Sequence, residues 1–261
     1  MVGQGLANMI GNAITGGGPS VGGSGGGFTN LYSTEYDGID DYINCGTPSN
    51  LNFSKTDTFS FSIWYKRNAN NVTHVLLSKH NPTGNRRGYY ISVHNDNKVT
   101  VILRTDTSFT SQRLIYKSTN TITDTNWHHI VFTYDGGVAQ SSGQIYIDGV
   151  AETMNSSGGG SITVIQSSAT TPFLISGLTT APANPANGKL DEVAIFNTEL
   201  SASDVSTIYN GGTPNNLNDL STPPLSWWRF EEGSGTTAAD SGTGGNTGTL
   251  VNGTAFSTDV P

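Results

Sequence analysis

The run TFSFSIWYK, residues 58–66, sets Phe59, Phe61, Ile63 and Tyr65 on one side and Ser60, Ser62, Trp64 and Lys66 on the other. This period of two is that of a strand with one buried face and one mostly polar face. Comparable runs flank it: VLLSK (75–79), GYYISV (88–93), KVTVILR (98–104), RLIYK (113–117), WHHIVFTYD (127–135), GQIYIDG (143–149), PFLISG (172–177) and KLDEVAIF (189–196). Asn, Asp, Gly and Thr punctuate them at short spacing, which predicts antiparallel sheets rather than βαβ units. The stretch HNDNK (94–98) predicts a hairpin turn, and Asp148-Gly149 a second tight turn. One helix is expected. Ser201 caps it, with Asp204 completing a short capping box, Val205, Ile208 and Tyr209 on one face, and Gly211-Gly212 as the stop. The fold class is all-β with one short helix.

Composition narrows the function. The chain has 261 residues, with 12 Lys+Arg against 20 Asp+Glu and a formal net charge of -8. Without a basic surplus to neutralise phosphates, nucleic-acid binding is not expected. No apolar run approaches the ~18 residues of a membrane span. The lone Cys45 excludes an internal disulfide, cysteine-ligated zinc and CxxC redox chemistry. Residues 1–27 form a Gly-rich arm without a charged side chain. It has neither the basic n-region nor the continuous apolar core of a secretory leader. Gly16 to Gly27 reads as a flexible tether. Leu6, Ile10 and Ile14 fall at i, i+4 and i+8, a short apolar stripe. Two readings follow: a disordered tail, or an anchor that orders on a partner.

Six blocks in one order resemble a laminin-G-like domain of the concanavalin-A-like lectin/glucanase superfamily: DGIDDYI (37–43), FSFSIWYK (59–66), LLSK (76–79), WHHIVFTYDG (127–136), IYIDGV (145–150) and GKLDEVAIFNTELSASDVSTIYNGG (188–212). The last is also similar to the closing strand and helix of pentraxins. The resemblance covers roughly 33–212 and implies a jelly-roll β-sandwich of two antiparallel sheets, assigned here to 28–212. Pro214, Pro223 and Pro224 mark a linker over 213–225. Beyond it, SWWRFEEGSGTTAADSGTGGNTGTLVNG (226–253) resembles the opening of a domain of this family, yet stands at the other end. A truncated second repeat is one reading, but 36 residues are too few to bury a separate core. The preferred reading is a circular permutation in which 226–261 completes a sandwich. Trp227, Trp228 and Phe230 would then pack either on their own chain or on a neighbour's, the latter giving a strand-swapped homo-oligomer.

The superfamily includes glucanases whose signature resembles E-x-D-x-x-E, a pair of carboxylates fit for nucleophile and acid/base roles. Here EYDGID (35–40) keeps Glu35 and Asp37 but puts Asp40 last, and it falls in the edge-strand block. A glycosidase is therefore not the expected reading. His128 and His129 are adjacent on a strand and point to opposite faces, and the five histidines read as surface or loop residues. Pentraxin-like paired calcium sites need acids in the loop before the closing block, and TTAPANPAN (179–187) has none. A structural calcium is the one cofactor the sequence leaves open, with Asp37, Asp40 and Asp191 as candidate ligands. The alternative is that Asp37 makes a turn while Asp40 and Asp191 are hydrogen-bonded in place. A glycan site needs stacking aromatics beside planar polar groups. Trp64 is the best aromatic candidate on the polar face, with Tyr90, Asn95, Asp96 and Arg104 as polar neighbours.

Lectin-like modules work where glycans are, outside cells, yet this chain shows no leader and one cysteine. A bacteriophage structural protein reconciles these features: made in the host cytoplasm, built into a particle, and exposed after lysis. The expectation is a non-enzymatic virion surface protein, a head decoration or tail-associated component. The arm carrying Leu6, Ile10 and Ile14 would meet capsid or tail proteins, and the β body would meet cell-surface glycans. The alternative is a bacterial extracellular carbohydrate-binding or adhesion module. Fold analogy carries this inference, and functions on such folds vary.

Overall fold

Phe59, Phe61, Ile63 and Tyr65 do point into one core, and the strand that bears them is central to the first of two sheets. The computed structural model describes residues 28–81, 87–104, 113–157, 165 and 170–261. The arm at 1–27, with Leu6, Ile10 and Ile14, lies outside the described residues. The first sheet holds β1 (Ser33–Asp37), β3 (Phe59–Arg67), β8 (Trp127–Tyr134), β9 (Gly143–Ile147), β10 (Val150–Ala151), β12 (Asn187–Phe196), β13 (Ser226–Trp228) and β16 (Ala255–Ser257). Its order is β10-β9-β8-β3-β12-β1-β16, with β13 also on β12. The second sheet holds β2 (Tyr42–Asn44), β4 (His74–His80), β5 (Gly88–Val93), β6 (Val99–Arg104), β7 (Arg113–Lys117), β11 (Leu174–Ile175), β14 (Thr237–Ala238) and β15 (Gly248–Val251). Its order is β14-β15-β2-β11-β4-β5-β6-β7. The described pairings are antiparallel. The chain is thus an all-β jelly-roll sandwich with one short helix.

Side chains from the two inner faces interlock between the sheets. Phe59 stacks on Phe53 at 4.6 Å, and Phe61 on Tyr89 at 5.1 Å. Offset aromatic pairs of this kind add to the burial of their area. Helix α1 (Ala202–Tyr209) lies over the outer face of the first sheet, held by the expected capping box of Ser201 and Asp204. A second apolar cluster forms beneath it from Val131, Phe196, Val205, Ile208 and Trp227. This cover overturns the half-polar reading of β3, because Ser60, Ser62 and Trp64 are buried as well. Ser60 Oγ donates to Thr198 O and accepts from Leu200 N, so the seam to the helix is hydrogen-bonded.

Residues 226–261 supply two strands to each sheet of their own chain. β13 pairs with β12, β16 with β1, and β15 with β2. Trp228 and Phe230 are fully buried in the main core, with Trp228 stacked on Phe173 at 5.2 Å. Trp227, 1% exposed, joins the cluster under the helix. All three are buried within this chain's own sandwich. The segment 213–225 is packed rather than loose, since Leu217 in its short 3-10 turn is buried.

β12 changes partners partway. Residues 187–190 pair with β1, and 193–195 with β13. Between them the register against β3 shifts and Glu192 takes φ +47. A bulge at this point re-aims the adjacent acids Asp191 and Glu192.

Candidate functional site

Alternation on β5, β6 and β7 sends Tyr89, Ile91, Val101, Leu103, Leu114 and Tyr116 inward. The intervening residues face out on the second sheet, away from α1. There Tyr90 is opposite Ile102, which is opposite Ile115. Arg104 is opposite Arg113, and Thr100 opposite Lys117. These side chains, with His94 and Ser157, line a groove of about 360 Å³. Ser157 forms one wall because its carbonyl accepts from Ile115 N at 2.9 Å. Across Tyr90, His80 meets the ring edge-on at 5.5 Å and borders a second depression of about 410 Å³ at Thr170–Pro172 and Leu178–Ala181.

Arg104, Arg113 and Lys117 bring cationic side chains to the groove. Lys117 Nζ is 2.5 Å from Asp96 Oδ2. Partial burial works against the Asp96 carboxylate, but the Lys117 hydrogen bond and charge hold its pKa below the usual range. Burial pushes the Tyr90 hydroxyl up, while the charges of Arg104 and Arg113 act the other way. An aromatic ring, an isoleucine floor and forked cationic donors together suit a ring-shaped polar ligand.

The structure divides the expected glycan residues. Tyr90 and Arg104 line the groove, and Asp96 stands at its rim holding Lys117. Asn95 sits exposed in the adjacent turn, with its backbone N–H on Thr73 Oγ1. Trp64 is on the other sheet, 3% exposed, stacked on His129 at 4.9 Å and Tyr209 at 6.0 Å. It has no free face for a sugar, because the helix covers the side of β3 that the alternation marked as polar. Arg113, Ile115 and Lys117 were not anticipated. Their only trace in the sequence is the alternation within RLIYK, which reads as a strand without showing which strand lies beside it.

The expected calcium ligands also separate. Asp37 and Asp40 gather with Asp41, their carboxylate oxygens within 4.8 Å of one another. Asp41 accepts from Asp37 N and Gly253 N, and Asp37 from Ile39 N. Turn-forming hydrogen bonds thus engage the Asp37 and Asp41 carboxylates. Asp191 is elsewhere, fully buried, bonded to Asn30 Nδ2 at 2.8 Å and paired in register with Trp64. Burial, then its neighbour Glu192, raises its pKa well above the ordinary value. Glu35 is exposed beside Lys189 at 3.5 Å. Neither it, Asp37 nor Asp40 reaches the groove.

Three histidines depart from the surface reading: His74, His80 and His129 are buried. Burial lowers the pKa of His74 to about 4 and of His129 to about 3. His128 is held between Asp148 (2.8 Å) and Asp124 (3.1 Å), and hydrogen bonding to Asp148 leads the rise in its pKa against the cost of burial. Among the described residues, no helix is long and apolar enough to cross a membrane.

Solved structures share this fold. A Bacteroides ovatus ATCC 8483 protein put forward as carbohydrate-binding aligns with a TM-score of 0.61 at 15% identity, over 90% of this chain and 62% of its own. The chain thus spans less than two thirds of that relative. The heptameric SAP-like pentraxin of Limulus polyphemus aligns with a TM-score of 0.55 at 12% identity, over 88% of this chain and 96% of its own. The CBM40 of the Ruminococcus gnavus IT-sialidase aligns with a TM-score of 0.53 at 13% identity, over 70% of this chain and 100% of its own. At such identities the likeness is one of fold. No curated protein sequence matches the chain. A laminin-G-type family model described as Concanavalin A-like lectin/glucanases superfamily matches residues 37–206. With that match over more than half its length and the two-sheet jelly roll around it, the chain belongs to the concanavalin A-like lectin/glucanase superfamily.

Proposed function

We propose that the chain is a non-catalytic lectin-like module that binds glycans through the outer face of its second sheet. The observation that carries this reading is the groove at Tyr90, Ile102, Arg104, Arg113, Ile115 and Lys117. It joins an apolar floor to planar polar donors, the pairing that sugar rings require. The B. ovatus and R. gnavus neighbours are described as carbohydrate-binding, which supports the same reading. The carboxylates Glu35, Asp37 and Asp40 stand away from the groove, which favours binding over hydrolysis.

The finer reading is display of the module on a virion surface, as a head decoration or tail-associated component. Its support is the placement of Phe28, the first described residue. Phe28 stacks on Trp227 at 6.2 Å and receives Arg229 over its ring at 4.4 Å, on the outer side of the first sheet. Phe28 is therefore docked on the face opposite the groove. A docked Phe28 on one face and a binding surface on the other suit a module held on a particle and turned outward.

The test is a glycan array probed with the full chain. Binding that is lost in Tyr90→Ala and kept in Trp64→Phe supports the reading. Binding of no glycan, or binding indifferent to Tyr90, removes it. For the particle, deletion of residues 1–27 is expected to abolish incorporation into virions.

A further inference from the structure

We propose that the site takes an extended linear oligosaccharide of three or more sugar units, laid across the strands from the groove into the second depression; this rests on the reading of the same face as a glycan site. Strand register sets the path. Ser78, Tyr90, Ile102, Ile115 and Ser157 are opposite one another in turn, one from each of β4, β5, β6, β7 and the segment bridged to β7. Directly opposed residues of antiparallel strands share a face. These five therefore form one row across the outer side of the second sheet. Its middle, from Tyr90 to Ile115, is apolar. Thr100 opposite Lys117 borders the row on one side, and Arg104 opposite Arg113 on the other. A sugar chain has the matching pattern, with C–H groups on its ring faces and hydroxyls along its edges.

The path continues past Tyr90. Ser78 Oγ donates to Gly177 O at 2.8 Å, which brings the chain entering residues 178–181 to the outer side of β4. There the second depression, about 410 Å³, lies between those residues and His80, whose ring meets Tyr90 edge-on at 5.5 Å. Tyr90 lines the groove and His80 the depression, so the two cavities share one boundary. Each falls within the range of a small-molecule site, about 300–1,000 Å³. From β7 to β4 the row crosses three strand spacings, about 14 Å in all. One spacing is close to the length that a pyranose adds to an extended chain, so a single terminal sugar leaves most of the path bare. Sheet twist rotates successive strands about the line of the row instead of bending it. A straight path suits an extended, equatorially linked chain and not a coiled one.

The experiment is titration calorimetry of the full chain with ladders of one to six units. Cello- and chito-oligosaccharides are the extended ladders, and malto-oligosaccharides the coiled one. In at least one extended ladder the tetramer should bind about tenfold tighter than the dimer, the gain expected from covering further apolar surface. Affinity should level off beyond about four units, where the path ends. Ala181→Trp fills the second depression from an exposed position. It should flatten the ladder, bringing tetramer binding down to the level of the dimer. Thr180→Trp fills the same space from the adjacent position and serves as the second variant should the first fold poorly. Equal affinity from dimer to hexamer overturns the chain proposal and leaves the glycan reading standing. So does a gain confined to the malto ladder, or binding of arrayed glycans with none of the ladders bound. A length gain that neither tryptophan variant reduces overturns the passage into the second depression. Failure to bind any ladder or any arrayed glycan overturns both readings.

Discussion

Trp227 Nε1 donates to Glu192 Oε2 at 2.5 Å, both groups inside the protein. The bond ties a strand from the chain's last 36 residues to the bulge at which β12 changes partners. Around it, Arg229 Nε reaches Glu192 Oε1 at 3.4 Å, and Asn30 holds Asp191. Glu231 accepts from the backbone N–H of Leu31 and Tyr32. One buried acidic pair thus joins the segment after the N-terminal arm to the C-terminal strands.

Stability should report the titration of that pair. Burial raises the pKa of Glu192, against the pull of Arg229 and Trp227, and raises that of Asp191 too. An acid with a raised folded-state pKa keeps its proton where the unfolded chain has released it. Its contribution to stability therefore falls as pH rises from the ordinary carboxylate range, about 4, through neutrality. Buried neutral His74 and His129 act in the other direction, costing stability as pH drops below about 6.5. Glu192→Gln retains an acceptor for Trp227 and removes one titration, and the histidine contribution is common to both proteins. Relative to wild type, the variant should melt higher near about pH 8 and lose that advantage near about pH 5. A difference that stays flat across this interval would show that Glu192 does not titrate there.

Removing residues 226–261 should unfold the chain. The deletion strips strands from both sheets and takes Trp228 and Phe230 from the core. Trp228→Ala alone should cost about 3–5 kcal/mol, the range for truncating a large buried aromatic. Circular dichroism and light scattering on the truncated chain decide the matter. A folded, monomeric product ending at Pro224 would contradict closure of the sandwich in cis.

Trp64→Phe should lower stability by about 1–3 kcal/mol and leave glycan affinity unchanged. The smaller ring leaves a partial void beneath α1, next to His129 and Tyr209. Thermal melts and array binding on the same preparation separate the two effects. Selective loss of binding at unchanged Tm would return Trp64 to the glycan site.

Gly188→Ala should disrupt the first sheet. Gly188 has φ +145, and a Cβ there would lie 2.0 Å from the Lys66 carbonyl oxygen of β3. Both the backbone conformation and the space exclude a side chain. The expected outcome is insoluble protein or a Tm depressed by many degrees. A soluble variant melting like wild type would mean that β12 does not approach β3 so closely.

Sequence alone determined the main central strands, two of their turns, the capped helix and the all-β class, because these depend on neighbours within a few residues. The alternation of TFSFSIWYK and of RLIYK needed no tertiary information. It also favoured 226–261 as strands completing a sandwich over a truncated second repeat, since WWRF could not bury itself in so short a segment. What covers each strand face was decided only by the tertiary structure. Ser60, Ser62 and Trp64 look outward-facing until α1, about 140 residues later in the chain, packs over them. His129 and Asp191 are buried for comparable reasons. The groove belongs to the same class. Tyr90, Arg104 and Asp96 were legible near one hairpin, but the partner arginine and the isoleucine floor on β7 became neighbours only through strand register. A periodic pattern says which side chains share a face, and only long-range packing says whether that face meets water, a helix or a ligand.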